Sequence, residues 1–100
     1  MATLYITELK SIIFAGNQAV LAPASNTITA EQDVAIGGSS VQSAAFAATT
    51  NFVMVNCDSA CSLAWGANPT AVTTAHRLGA NETRFYGVIP GQKLAVIANT

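Results

Sequence analysis

The side chains able to do chemistry in this sequence are two cysteines, Cys57 and Cys61, one histidine, His76, and five carboxylates, Glu8, Glu31, Asp33, Asp58 and Glu82. A closed structural zinc site takes about four ligands, and the cysteines with His76 leave it one short. A dithiol redox motif wants Cys-x-x-Cys before a helix, whereas Asp58-Ser59-Ala60 intervenes here and reads as a turn. A cross-strand disulfide is geometrically possible in the register derived below, but a reducing cytosol disfavours it. The pair therefore reads as two reduced cysteines packed as small apolar residues. Nucleophilic catalysis needs a base, and His76 is the sole candidate. No Gly-x-Ser-x-Gly elbow marks an activated serine. His76-Arg77 reads as part of an exposed loop or of a contact between subunits.

Glu31 and Asp33 lie two apart and so point to one face of a strand. Paired acids can hydrolyse glycosides, but such sites need a cleft lined with aromatics. The seven aromatics fall mostly at apparent core positions, and the acid pair reads as a solvated strand face. No Asp-x-Asp-x-Asp-Gly calcium loop is present, and Gly37-Gly38 lacks the lysine and helix of a phosphate cradle. Trp65, Phe85 and Tyr86 could form a ligand platform. Alternation aligns Trp65 with Leu63 and Val53, toward the core. Phe85 and Tyr86 are adjacent and point to opposite faces, which leaves one of them available to a partner. The chain is accordingly expected to have no catalytic residues, metal site, cofactor or small-molecule substrate.

The elements that would position these residues are strands. Thr, Val and Ile run in stretches of about five to eight residues between Gly, Pro, Asn, Asp and Ser. Strands are expected at Thr3 to Leu9, Gln18 to Leu21, Thr27 to Ile36, Gln42 to Phe46, Asn51 to Cys57, Cys61 to Trp65, Arg84 to Val88 and Lys93 to Ala98. Ala22-Pro23-Ala24-Ser25-Asn26 and Gly37-Gly38-Ser39-Ser40 are loop compositions. Gly66-Ala67-Asn68-Pro69 ends a strand. Pro90-Gly91 reads as a tight turn that makes a hairpin of the last two strands.

The clearest hairpin is Asn51 to Gly66. A three-residue turn at Asp58-Ser59-Ala60 sets Cys57 opposite Cys61, Val55 opposite Leu63 and Val53 opposite Trp65, one apolar row on one face. Phe52, Met54, Asn56, Ser62 and Ala64 then line the other face. Two segments stay open. Ser39 and Gln42 before Ala44-Ala45-Phe46-Ala47-Ala48 could cap a short helix, and Thr70 to Asn81 could be a long loop with one helical turn. The fold expected is all-β, one domain over residues 1–100, a small β-sandwich or jelly-roll-like domain of about eight short antiparallel strands.

Composition narrows the function. Charged residues make up 9% of the chain, against a hydrophobic share of 51% and a net charge of −1. The usual charged share is about one-quarter, and so neutral a surface suits a protein that lives against other protein. Lys10, Arg77, Arg84 and Lys93 are scattered, whereas nucleic-acid binding needs a clustered basic patch. No apolar run approaches the ~20 residues of a membrane span. The opening residues lack the basic start and apolar core of a signal peptide, which implies use inside the cell or exit as part of a larger particle.

Three stretches carry a resemblance. They are the opening Met1-Ala2-Thr3-Leu4-Tyr5-Ile6-Thr7-Glu8, the central run from Phe52-Val53-Met54-Val55 through Cys57-Asp58-Ser59-Ala60-Cys61 to Asn68-Pro69-Thr70-Ala71, and the closing Arg77-Leu78-Gly79-Ala80-Asn81-Glu82-Thr83 with Gly87 to Ile97. Together they span most of the chain and resemble small proteins encoded by tailed bacteriophages. The resemblance implies a virion component, a capsid cement or decoration protein assembled in the host cytoplasm. Its partners would be the major capsid protein or other virion subunits, with copies of the chain forming a homo-oligomer. Many weak copies acting together would supply avidity. Thr3 to Glu8 and Leu94 to Thr100 are candidate arms or edge strands that pair with a neighbour. The interaction candidates are Thr3, Leu4, Tyr5, Ile6, His76, Arg77, Arg84 and Tyr86. Two alternatives remain: a neck, tail-adaptor or fibre-associated virion protein, and a β-sandwich that binds host carbohydrate.

Overall fold

The computed structural model describes residues 2–10, 12–14, 20–23 and 28–100. Alternating apolar residues make strands wherever one face can be buried, and the described residues hold β1 (Ala2–Leu9), β2 (Ile12–Phe14), β3 (Val20–Pro23), β4 (Ile28–Ile36), β5 (Val41–Gln42), β6 (Phe52–Cys57), β7 (Cys61–Gly66), β8 (His76–Leu78), β9 (Thr83–Gly87) and β10 (Lys93–Ala98). No helix occurs among them. Eight of these strands form two four-stranded antiparallel sheets, a front sheet ordered β4-β1-β6-β9 and a back sheet ordered β5-β10-β7-β8, while β2 and β3 pair as a separate ribbon. The chain changes sheet at β4–β5, β5–β6, β6–β7, β8–β9 and β9–β10. The result is an all-β sandwich whose strands are dealt alternately to its two layers, as in a jelly roll.

The layers close on one apolar core. Leu4 and Ile6 of β1, Val34 and Ile36 of β4, and Val53, Val55 and Cys57 of β6 face Cys61 and Leu63 of β7, Leu78 of β8, and Leu94 and Val96 of β10. Each full burial of a Val or Leu side chain contributes roughly 1.5–3 kcal/mol.

The expected hairpin from Asn51 to Gly66 is corrected. Cys57, Val55 and Val53 do lie on one inward face with Cys61 and Leu63, but β6 pairs with β1 and β9, and β7 pairs with β10 and β8. Asp58–Ala60 is thus an arch between sheets. The opposed residues meet through the core and share no ladder. The expected hairpin of the last two strands is corrected in the same way, since β9 lies in the front sheet and β10 in the back. The tight turn itself is there. Gln92 N–H donates to Ile89 O at 3.2 Å and Gly91 has φ 86°, the geometry of a type II turn with proline second and glycine third.

Four further expectations change. Thr3–Glu8 is not an arm or edge, because β1 runs between β4 and β6; of Leu94–Thr100, the part in β10 is likewise interior, between β5 and β7. The strand expected over Gln42–Phe46 stops at Gln42, and the helix alternative does not form either. There the backbone finds partners elsewhere: Ser43 N–H donates to Leu94 O, Phe46 N–H to Gln92 O, and Ala44 N–H to Gln32 Oε1. Within Thr70–Asn81 no helical turn forms, and His76–Leu78 becomes β8. Residues 67–75 instead lie over the outer face of the back sheet, where Ala71 N–H donates to Ser40 Oγ, Gln42 Nε2 to Pro69 O, and Asn99 Nδ2 to Thr73 O. That cover explains why Ser62 and Ala95, which alternate outward, are fully buried. Finally, Ile12–Phe14 is a strand not foreseen, paired with Val20–Pro23; Pro23, expected in a loop, ends a ribbon strand opposite Ile12. Gln18, Ala19, Ala24, Ser25, Asn26 and Thr27, named in the expected strands and loop, lie outside the described residues.

One buried charge pins the 43–51 segment to the front sheet. Glu8, 2% exposed, accepts from Ala47 N–H at 2.9 Å, Thr50 Oγ1 at 2.8 Å and Gln32 Nε2 at 3.0 Å. A buried carboxylate is tolerable only when its lone pairs are filled in this way. Glu8→Ala strands three donors and should cost about 2–4 kcal/mol. Glu8→Gln should cost less, because its amide oxygen still accepts; urea unfolding midpoints check both.

Candidate functional site

The edge strands β8 and β9 belong to opposite sheets and flank an open side of the sandwich. β8 pairs with β7 only along Cys61–Leu63, so β7 runs on past it to Trp65 and Gly66. Tyr86 of β9 lies opposite Val53 and therefore turns inward, toward the same opening. Three rings gather there. Trp65 and Tyr86 have centroids 4.8 Å apart at 54°, His76 stands 5.5 Å from Tyr86 edge-on, and His76 and Trp65 are 6.0 Å apart. These separations lie in the range favoured by tilted and edge-to-face aromatic pairs.

A hydrogen bond of 2.7 Å joins His76 Nε2 to the Tyr86 hydroxyl and ties the two sheet edges together. Burial raises the Tyr86 phenol above its ordinary value, with the Glu82 carboxylate adding to the rise and the Arg84 cation opposing it. The Trp65 indole N–H is buried and meets no acceptor among the described residues. Val88, Ile89 and Gln92 form the other wall of a groove of about 490 Å³, with Ile89 62% exposed. The lining is neutral and mostly apolar, with the Tyr86 hydroxyl, the His76 ring and the Gln92 amide as polar points. Such a surface can hold an apolar group by stacking and orient it by one or two hydrogen bonds.

The structure brings His76 and Tyr86 together and adds Trp65, which alternation alone assigned to the core. Trp65 does point inward, but it sits at the core's rim because β8 ends before reaching it; the adjacent Gly66 and the following Asn68-Pro69 were the available signal. Leu4 and Ile6 are corrected as interaction candidates, since both are fully buried. Thr3 exchanges hydrogen bonds with Asp58. Tyr5 is 46% exposed on the outer face of the front sheet, in the interior strand β1. Arg77 lies on the outer face of β8 and donates to Asn99 O at 3.1 Å, away from the rings. Arg84 is exposed and paired with Glu82. Phe85 is 47% exposed on the outer face, opposite Met54, while Tyr86 turns in.

Cys57 and Cys61 are free and fully buried at the two ends of the arch. Cys57 Sγ donates to Gly79 O at 3.1 Å. Burial pushes the Cys61 thiol from 9.0 up to about 12, and Cys57 adds to the rise while Arg77 opposes it. No family model, curated protein or solved structure matches the chain.

Two outcomes follow from this geometry. Tyr86→Phe, which removes the link to His76, should cost about 1 kcal/mol, and Trp65→Ala about 3 kcal/mol or more; thermal unfolding followed by circular dichroism separates them. For Cys61 the unfolded chain loses its proton near pH 9 while the folded chain keeps it to about 12. The unfolded state thus binds fewer protons in that window, and stability, complete below it, falls as pH rises through it. Denaturant titrations across that range test the slope.

Proposed function

We propose that the chain is a bacteriophage virion structural protein, a capsid cement or decoration protein that stabilises the shell through protein–protein contacts and carries out no catalysis. The observation that carries this reading is the inequality of the two outer faces. The back sheet is covered by the chain's own residues 67–75, as described above. On the front sheet, by contrast, Tyr5 and Phe85 are exposed, with the half-buried Thr7, Met54 and Asn56 between them and Glu31 and Asp33 along the β4 edge. A four-stranded face with exposed aromatics and little charge is suited to burial against another protein surface. The resemblance to tailed-phage proteins and the 9% charged content support the same reading. The partner is the major capsid protein or a neighbouring virion subunit, and the protein acts as a homo-oligomer.

Purified mature particles provide the test. Quantitative mass spectrometry should find the protein at hundreds of copies per particle. A dozen or fewer would move it to the neck or tail, and absence would end the proposal. The groove at Trp65, His76 and Tyr86 favours a second reading, a carbohydrate-binding module, because aromatic faces stack on sugar rings. Binding on a glycan array that Trp65→Ala abolishes would support that reading, and no binding to any glycan would remove it.

A further inference from the structure

The front sheet ends at β4, a nine-residue strand paired on one side only, with β1. Which of its backbone groups face the open side follows from its neighbour. Along a strand in an antiparallel sheet, successive residues turn their N–H and C=O to alternate sides. In β1, Thr3 C=O accepts from Asp58 N–H and Leu9 C=O from Asn51 N–H, both on the β6 side. Thr3, Tyr5, Thr7 and Leu9 therefore turn their backbone to β6, and Leu4, Ile6 and Glu8 turn theirs to β4. Across from Thr3, Tyr5 and Thr7 stand Ala35, Asp33 and Glu31, which make no ladder bonds with them and point their own N–H and C=O out at the open edge. No other segment bonds to these groups among the described residues. The 43–51 segment meets β4 from the core side, where Gln32 bonds to Glu8 and Ala44.

The same three residues put their side chains on the outer face, where all are exposed. Among the described residues neither Glu31 nor Asp33 has an ion-pair partner. An open edge is a template for another strand, and the residues directly across from it decide which strand is accepted. A second β4 is a poor occupant. Two-fold antiparallel pairing centred on residue 31, 32 or 33 sets acid directly against acid, which is destabilising. We infer that the open edge of β4 receives an extended segment of a partner protein, with Lys or Arg at two alternate positions opposite Glu31 and Asp33. Backbone bonds to residues 31, 33 and 35 hold the segment, and the two ion pairs set its register. The inference does not depend on the assembly in which the protein works, and it uses a different surface from the exposed aromatic face.

The test uses the purified full chain and capped peptides, so its failure leaves the proposed function standing. The probe is Thr-Lys-Val-Lys-Val-Lys-Thr, with Thr-Glu-Val-Glu-Val-Glu-Thr as its acidic counterpart. In heteronuclear NMR titrations the basic peptide should shift the amides of Glu31, Asp33 and Ala35 and slow their hydrogen exchange, and the acidic one should not. Glu31→Lys with Asp33→Lys should weaken binding of the basic peptide about tenfold or more. The thermal midpoint should hardly move, since both side chains are exposed. A backbone readout separates strand addition from loose charge attraction. Only alternate residues of an added strand face the edge, so of two basic peptides N-methylated at the lysines or at the valines, one should lose binding and the other keep it. No binding by the basic peptide, equal binding by the acidic one, or equal binding by the two methylated peptides would overturn the inference. So would a dimer of the chain alone in which the Glu31, Asp33 and Ala35 amides are the protected ones.

Discussion

Three residues, Asp58, Ser59 and Ala60, have to carry the chain from one sheet to the other, and the rest of the sandwich is arranged around that crossing. The four Cα steps from Cys57 to Cys61 reach about 14 Å at most, and packed sheets stand ~10 Å apart. The arch has little slack. Its backbone is held from every side: Thr3 N–H donates to Asp58 Oδ1 and Asp58 N–H to Thr3 O, Asn99 N–H donates to Ala60 O, and Asn81 N–H donates to Cys57 O. The beginning of β1, the residue after β10 and the link from β8 to β9 thus meet at one place. Asn81 adopts φ 61° to make its bond, a left-handed geometry that asparagine tolerates better than most residues. Because the chain changes sheet at this crossing, β6 and β7 do not pair with each other. The front sheet must find its partners for β6 in β1 and β9, and the back sheet must find those for β7 in β10 and β8.

The two sheets then solve the problem of their outer faces differently. The back sheet uses residues 67–75 as a cover, with side chains at Ser40, Gln42 and Asn99 satisfying or anchoring that strap. On the front sheet, Glu8 holds the 43–51 segment from within, and Gln32 spans Glu8 and the backbone of Ala44. Irregular backbone that must lie close to a core needs partners for its N–H and C=O groups, and in this domain a carboxylate and an amide provide several of them. Tyr5 and Phe85 stay exposed on the outer face of the front sheet, which therefore has aromatic surface to offer.

Alternation made the core legible before any pairing was known. Val53, Val55 and Cys57 point inward with Cys61 and Leu63 whether the connection is a hairpin or an arch, since period two fixes a side chain's face and says nothing about which strand lies beside it. The same ambiguity applies at Pro90-Gly91, where the residues specify a tight turn but not whether the strands on either side of it pair. The interior positions of β1 and β10 were illegible for a related reason: a strand near a chain end looks like an edge until its neighbours are known, and those neighbours come from β4, β6, β5 and β7. β8 was illegible because three residues, His76-Arg77-Leu78, carry too little pattern to declare a strand. Of the interaction candidates, Tyr5, His76, Arg77, Arg84 and Tyr86 reach the surface or the groove, while Leu4 and Ile6 went to the core with the very alternation that made β1 recognisable.

The groove follows from the shortness of β8. Where that strand ends, the back sheet lacks a backbone to close the layer, yet Leu63 and Val53 still need cover from water at this end of the core. Trp65, Tyr86 and His76 supply it with side chains instead of a strand, and their packing is completed across the gap by the 2.7 Å bond between His76 and Tyr86. The same rings are therefore both a wall of the core and a surface toward solvent. That wall is made of side chains and not of a hydrogen-bonded strand, and its indole N–H meets no acceptor among the described residues. Any partner that engages the groove acts directly on the closure of the sandwich, so recognition at this site and stability of the domain are physically coupled through three residues.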